Sequence, residues 1–431
     1  MGLPLPHDPF AVDYTTDAEI EASDGGSRTV ALKSIGAFSY SSNVLQMGDP
    51  FSITVPDPRG EYADALWQGW SITFSMSNPY VKGGSKTRKQ HGIITSRTCS
   101  GDSSAGTVLQ ITGADLGWHL ANNDALPWVS IRGSSVGDLV QWCIFPHSKS
   151  TTQTDPKWGF ATDDPGSGFK GVRLDNAENS AIKRNVVFTA AERVGFLQTQ
   201  MSGQPIFVQV QPGQRMSDLL IQWARRMGLL VNVSVDGYVQ FFRPNYTQAP
   251  SYSIVVSRKN EGRQKTNVVR FSKTDSLDSM YTHVTVVGEN PQHQLIPATG
   301  QVKTFRPQYG KLYGRAVPDN WPPNVRPLPF QRRVYMSDGE MVEKPDRRAR
   351  WHQRRGLFDA SSTTYLVRGH HQEGRWWESD TMAEVYDEVN NLFGSYYVSD
   401  VKCSRTMSEG DTTEVTIREP GLLDEITVNA P

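Results

Sequence analysis

Cysteine is scarce in this chain: Cys99, Cys143 and Cys403 are the three among 431 residues, an odd number and far apart. No zinc or disulfide spacing joins them, so the reading is three thiols in a reducing compartment. Long apolar runs are also missing. Nothing approaches the ~18–20 apolar residues of a membrane span, and MGLPLPHDPF at the N-terminus lacks a signal-peptide pattern. The expectation is a chain folded in a cytoplasm, with no membrane partner, that leaves a cell by assembly rather than by secretion. An excess of one charge is lacking as well. Lys and Arg number 44 against 45 Asp and Glu, so overall balance draws the chain to neither nucleic acid nor membrane.

The familiar catalytic spacings are absent too: there is no GxSxG, HExxH, P-loop, Rossmann GxGxxG or CxxC. His370 and His371 are adjacent, which in a strand sends them to opposite faces and makes joint metal ligation awkward. One packed and one solvated histidine is the reading. Carboxylate pairs for glycoside hydrolysis depend on the fold, and no acidic residue stands out from the background. No catalytic residue, metal ligand or cofactor is therefore expected, and the chain reads as something other than an enzyme.

What is present is a loop-rich, mainly β composition. Gly 37, Pro 26 and a hydrophobic content of 37% point that way, and the length allows two to four domains. The pivotal stretch is GQRMSDLLIQWARRMGLLVNVSVDGYVQFFRPN, Gly213 to Asn245. Met216, Leu219, Leu220, Trp223 and Met227 recur at helical spacing, with Ser217 and Asp218 at the start and Gly228 at the end. The runs Leu229–Val235 and Tyr238–Phe242 then flank Asp236–Gly237, a strong hairpin signal. A helix feeding into a tight hairpin makes an α/β unit with one packing face.

Around it the chain divides as follows. Residues 1–26 are polar and acidic and read as an arm that orders only against a neighbour. Residues 27–125 carry strands: SITFSM alternates strictly at Ser71–Met76, FSITVPDPRG follows the same logic, and HGIITSRTCS and GTVLQITGAD flank a polar turn. Such strands suit a small barrel or sandwich. VKGGSKTRKQ, Val81–Gln90, reads as a solvated loop tip because no aromatics interleave with its charges. Residues 126–257 form the middle domain, with a short buried helix over Ser134–Phe145 and a polar insertion at 151–179. Residues 258–431 return to strands (TNVVRF, MYTHVTVVGE, Ser395–Cys403 and Thr412–Arg418). They also hold a proline-rich extended crossing at Phe305–Phe330 and an Arg-rich helix from Pro345 to Gly356.

Two features are candidate interfaces. Arg347, Arg348, Arg350, Arg354 and Arg355 on that helix suit an acidic protein partner before DNA, although a solvated face is the commoner fate of such a helix. Trp376 and Trp377, neighbours at a strand end, suit capping a core or filling an interface. A faint internal echo links SITVPDPRG to EVTIREPGL, each a strand closed by an acidic–Pro–Gly-type turn.

Taken in order, several segments resemble the baseplate hub proteins of contractile-tailed phages, the late control protein D type, related to the hub part of type VI secretion spikes. The segments are FSYSSNVLQMGDPFSITVPDPRG, LWQGWSITFSM, VLQITGADLGWHL, the helix–hairpin at Met216–Pro244, TNVVRFSKTDSLDSMYTHVTVVGE, RRARWHQRR, YLVRGHHQEGRWWESD and VSDVKCSRTMSEGDTTEVTIREPGLL. They cover about four-fifths of the chain, and the specificity lies in their order. Gly113–Ala114–Asp115 stands where the pattern has Gly-Arg-Asp.

The resemblance implies an α+β, mainly β protein with two small tube-like β-barrels and an α/β middle domain. It implies a homotrimer, a pseudo-sixfold ring that joins a hexameric tail tube to a trimeric spike and leaves a lumen for DNA. Implied partners are the tail tube protein, the central spike protein and other baseplate proteins, with the tape measure protein as a further one. DNA is only in transit, and the location is the virion tail baseplate, assembled in the host cytoplasm. Rival readings are a tail-associated cell-wall hydrolase and a receptor- or glycan-binding tail protein.

Overall fold

The computed structural model describes residues 8, 17–23, 29–32, 35–57, 60–77, 88–102, 106–125, 130–133, 171–173, 206–209, 212–227, 230–233, 238–242, 244–258, 266–288, 313–316, 333–338, 345–406 and 408–423. Ser134–Phe145, the loop 81–87 and nearly all of 151–179 lie outside them.

The first half is built from β1 (Asp17–Ser23), β2 (Thr29–Leu32), β3 (Ala37–Asn43), β4 (Pro50–Pro56), α1 (Glu61–Ala65), β5 (Ser71–Ser77), β6 (Arg88–Asp102), β7 (Gly106–Asp115) and α2 (Gly117–Asn122). Alternation drives it. Ile72, Phe74 and Met76 of β5 are buried as their period-two spacing predicts, against Phe51, Ile53 and Val55 of β4 and Leu109 and Ile111 of β7. Residues 17–23, expected within a loose arm, are instead a paired strand. β1 lies between β2 and β5 and buries Ile20 and Ala22, because its own alternation matches the same core.

The middle segment holds β8 (Ser130–Gly133), β9 (Gly171–Arg173), β10 (Ile206–Gln209), α3 (Met216–Met227), β11 (Leu230–Val233) and β12 (Tyr238–Phe242). The helix and hairpin form: α3 buries Met216, Leu219 and Leu220 of the expected face and also Ala224, the side chains of Trp223 and Met227 lie outside the described residues, and β11 pairs antiparallel with β12. β12 adds β9 in parallel, so one short piece of the polar 151–179 stretch is a strand.

The second half comprises β13 (Tyr252–Val256), β14 (Val268–Asp275), β15 (His283–Gly288), β16 (Tyr313–Ala316), β17 (Arg333–Asp338), α4 (Pro345–Ala360), β18 (Ser361–Arg368), β19 (His371–Gln372), β20 (Arg375–Trp376), β21 (Thr381–Asp387), β22 (Leu392–Thr406) and β23 (Gly410–Arg418). It starts earlier than residue 258, since β13 pairs with β21. MYTHVTVVGE joins a separate sheet, β16-β15-β17, so part of the proline-rich crossing is a strand. α4 does not stop at Gly356. It runs on to Ala360, because Gly356 serves close packing: a Cβ there would stand 2.2 Å from the Ser279 carbonyl oxygen.

The mainly β, α+β class is as expected, with one correction. The two halves are not separate closed barrels but share a single 13-stranded sheet. In the second half the gap between β13 and β14 is bridged by two residues, Thr266 and Asn267, rather than a ladder. Asn267 donates its backbone N–H to the Val255 carbonyl at 3.3 Å, accepts the Val255 N–H on Oδ1 at 2.9 Å, and donates from Nδ2 to the Ser253 carbonyl.

Within that sheet one topology occurs twice. The first half runs β3-β4-β7-β6-β5-β1, and the second runs β14-β18-β23-β22-β21-β13. Read by chain order within each half, the two sequences of strands are the same. β6 and β22 are both 15 residues long, and each breaks register once, between Ile94 and Ser96 and between Val398 and Asp400. A constant offset carries Ile94 to Val398, Cys99 to Cys403, Gly106 to Gly410 and Gly113 to Ile417, with pairings conserved between the halves. Gly106 and Gly410, each opening the returning strand, share a left-handed backbone at φ 75° and 71°. β1 and β13 differ, the first antiparallel and the second parallel to its neighbour. The echo of SITVPDPRG and EVTIREPGL therefore names the wrong pair: β4 corresponds to β18, and β23 to β7.

Candidate functional site: the joint between the halves

The halves meet along β22. Its first part pairs with β21; after the bulge, Asp400–Arg405 pairs antiparallel with Asn43–Phe38 of β3 on that same side. A register break turns a strand and increases its twist, so one long strand serves two modules.

Side chains lock this joint. Tyr252 stacks on Trp377 at 4.2 Å within the second core, whereas Trp376 enters the first core with Phe38 and Phe74. Consecutive residues of an extended segment point opposite ways, so adjacent tryptophans fill two different interiors. A third cluster (Val44, Phe242, Met280, Leu357, Phe358, Met382, Tyr397, Leu422 and Leu423) ties the hairpin and α4 to the same joint.

A buried polar group sits between the cores. Arg405 holds Asp411 through two bonds, Nε to Oδ1 at 2.6 Å and Nη2 to Oδ2 at 2.8 Å. His370 Nε2 lies 3.6 Å from Asp411 Oδ1, a charge contact too long for a hydrogen bond, and its Nδ1 is 3.2 Å from Thr413 Oγ1. Thr413 donates to the Gly369 carbonyl at 2.7 Å. Burial pushes the His370 pKa down, but the Asp411 carboxylate and Cys403 outweigh it and hold it at about 9. Burial likewise pushes Asp411 up; Arg405 and His370 outweigh that and keep it at about 2. These neighbours favour the protonated form of the buried imidazole. His371 is buried too, against Trp376 at 5.3 Å, so neither histidine of the pair is solvated as expected. The segment is not a plain strand but a short hairpin, β19–β20, folded between two cores.

Beside the joint lies a groove of about 660 Å³, floored by Ser39, Ser52, Thr112 and Gly113 and edged by Trp118 and Lys402; its lining contains no acidic or histidine side chain. Among the described residues no group of three or more His, Cys, Asp or Glu side chains could hold a metal ion.

No protein-family model matches the chain, and no curated protein matches it in sequence. Solved structures match in fold. The 43 kDa tail protein of prophage MuSo2 from Shewanella oneidensis is 14% identical, covers 95% of this chain and 99% of its own, and has a TM-score of 0.63. The tail protein from Neisseria meningitidis MC58 is 16% identical over 96% and 99%, with a TM-score of 0.66. A chain of the Francisella PdpA–VgrG complex is 10% identical over 98% of this chain and 55% of its own, at 0.51.

This chain has the phage tail-protein fold.

Within this tail-protein fold the expected interface residues are spread apart. Arg347 and Arg348 lie in α4, their side chains outside the described set, and Arg350 is exposed. Arg354 donates to the Gly421 carbonyl at 3.1 Å, and Arg355 pairs with Asp359 at 2.7 Å, so both serve the chain's own packing. Trp376 and Trp377 are 9% and 1% exposed, and what they join is the two halves of one chain. Sequence reasoning missed the β22–β3 seam, Arg405 and Asp411. The shared Cys-Ser after the bulge and the glycine opening each returning strand were the signals that could have found the repeat.

Proposed function

We propose that the chain is a baseplate hub subunit of a phage tail or phage-derived device, three copies of which form a pseudo-sixfold ring. The ring joins a hexameric tail tube to a trimeric spike, and the chain acts by shape and buried contact, without catalysis. The observation that supports it is the strand order repeated within one polypeptide: two like modules per subunit let three subunits occupy six near-equivalent positions.

The sheet face opposite the cores is assigned to the lumen. Ser404, Ser39, Ser52, Thr112 and Ser96 stand in one cross-strand row over β22, β3, β4, β7 and β6. Beside them Glu414 is flanked by Arg270 at 3.3 Å and Lys402 at 3.9 Å. Among the described residues this face is mostly hydroxyls, with two cations sharing one carboxylate, so it offers few cations to retain phosphates, which suits passing DNA.

The test is light scattering of the chain alone and mixed with tube and spike proteins, followed by imaging of the particle with this chain labelled. A trimer between tube and spike is expected. A strict monomer with both partners present, or lysis of peptidoglycan by the isolated chain, would overturn the reading.

A further inference from the structure

Two strand edges are open among the described residues, and the repeat says what each fits. β6 has β7 along one side from Gly92 onward, but on its other side β5 stops at Ile93, leaving Ser96–Gly101 with no strand among the described residues. At the far end of the sheet β14 pairs with β18 alone, and six of the seven residues after Val268 are exposed: Val269, Arg270, Phe271, Ser272, Thr274 and Asp275.

These are the repeat-mates of the two strands that form the seam. β6 corresponds to β22, and β14 to β3. Inside the chain the later part of β22 is covered by β3; by correspondence, the later part of β6 is the seat for a β14, and this chain's own β14 is at the other end of the sheet. Resting on the ring reading, we infer that β14 of one copy pairs antiparallel with Ser96–Gly101 of the next, repeating the β22–β3 seam between chains.

The register follows from the internal one. Cys403 faces Tyr40 and Lys402 faces Ser41. Tyr40 is two residues beyond Phe38, which faces Ile53, and Phe271 faces Tyr365 in the same place. Lys273 thereby corresponds to Tyr40, and Cys99 of one copy stands opposite Lys273 of another. Two residues along, on the same face, Arg97 faces Asp275, which places opposite charges across the seam.

The exposed apolar side chains agree with this seam independently of the register. At the internal seam Phe38 is 4% exposed, and Trp376, from β20 ahead of β21, is packed with it. At the open edges the counterparts are exposed: Phe271 is 38% exposed, and Trp67, in the loop before β5 with Arg97 over its ring at 3.8 Å, is 48%; Val269, also on β14, is 51% exposed. Large apolar groups clustered at two open edges mark an interaction surface. Because the two edges differ, the contact is head-to-tail, the kind that closes into a ring.

Paired antiparallel residues have Cα atoms about 4.5–5.5 Å apart, inside the disulfide range of about 4.4–6.8 Å. The test is Lys273→Cys in a Cys143→Ser background, where Cys99 is the exposed partner thiol. The protein is mixed with tube and spike proteins, oxidised, and run on a non-reducing gel, with molar mass by light scattering before oxidation. Ser272→Cys and Thr274→Cys, one step off register, are the comparison.

The expected result is disulfide-linked dimers and trimers from Lys273→Cys, several-fold above either neighbour and absent when Cys99 is serine. A trimer that links no better than the off-register variants overturns the seam and leaves the ring reading standing. A monomer that never links overturns both. Phe271→Glu supplies a second arm: it is expected to weaken trimer formation at least tenfold with an unchanged melting temperature. A trimer as tight as the parent would overturn the inference.

Discussion

At the scale of single residues, the joint is decided by side chains that a sequence presents as neighbours and the fold sends apart. Trp377→Ala and Trp376→Ala are each expected to cost ~3–5 kcal/mol, the usual loss for a large aromatic in a packed core, read from the denaturation midpoint. The adjacent pair was legible as core-filling; that it fills two cores was not, because that depends on which walls stand either side of the hairpin.

The buried His370–Asp411–Arg405 group makes stability depend on pH in a stated direction. His370 sits at about 9, above its ordinary 6.5. Its contribution is full below about 6.5 and is lost as pH rises through about 9. Asp411 sits at about 2, below 3.8, so its contribution holds above 3.8 and is lost as pH falls through about 2. The melting temperature should fall between about pH 6.5 and 9 beyond what other groups explain. His370→Gln should flatten that alkaline fall and keep most of the acid limb, which Arg405 also supports. An unchanged alkaline limb would show that the histidine is neutral in the folded chain.

At the scale of elements, Gly356 separates local preference from packing. Alanine is favoured over glycine within a helix by ~1 kcal/mol, so a free α4 would gain from Gly356→Ala. In the folded protein the added Cβ meets the Ser279 carbonyl at 2.2 Å, which forces a shift of backbone. The expected net outcome is destabilisation of ~1–3 kcal/mol, seen in thermal melts; a gain would mean that α4 stands off the 276–282 loop. This residue also explains an error of extent. Glycine after a basic stretch reads as a helix end, and only the neighbouring chain reveals it as a point of close approach. In α3 the periodic face was legible from spacing alone. Leu220→Ala, at a fully buried position, is expected to cost ~2–5 kcal/mol, measured by denaturant unfolding.

At the scale of the whole molecule, the repeat is a property of hydrogen-bonded order rather than of residue identity. The two modules share a strand order and a bulge position while most side chains differ, since a buried wall needs only apolar residues at alternate places. That is why a sequence echo could suggest duplication and still pair the wrong strands. The ring reading makes one prediction at this scale: mixed with tube and spike proteins, the chain sediments with the mass of three copies, and a value for one copy would end it.

Composition and period, by themselves, determined the mainly β class, the helix–hairpin, most strands of both modules and the missing membrane span, because each is a local consequence of spacing and turn chemistry. Tertiary structure alone decided that β22 bends to bind two modules, that residues 17–23 join a sheet, and that His370 is buried beside Asp411. Each of these rests on contacts between residues of different elements, from tens to hundreds of positions apart, whose energies no local pattern records.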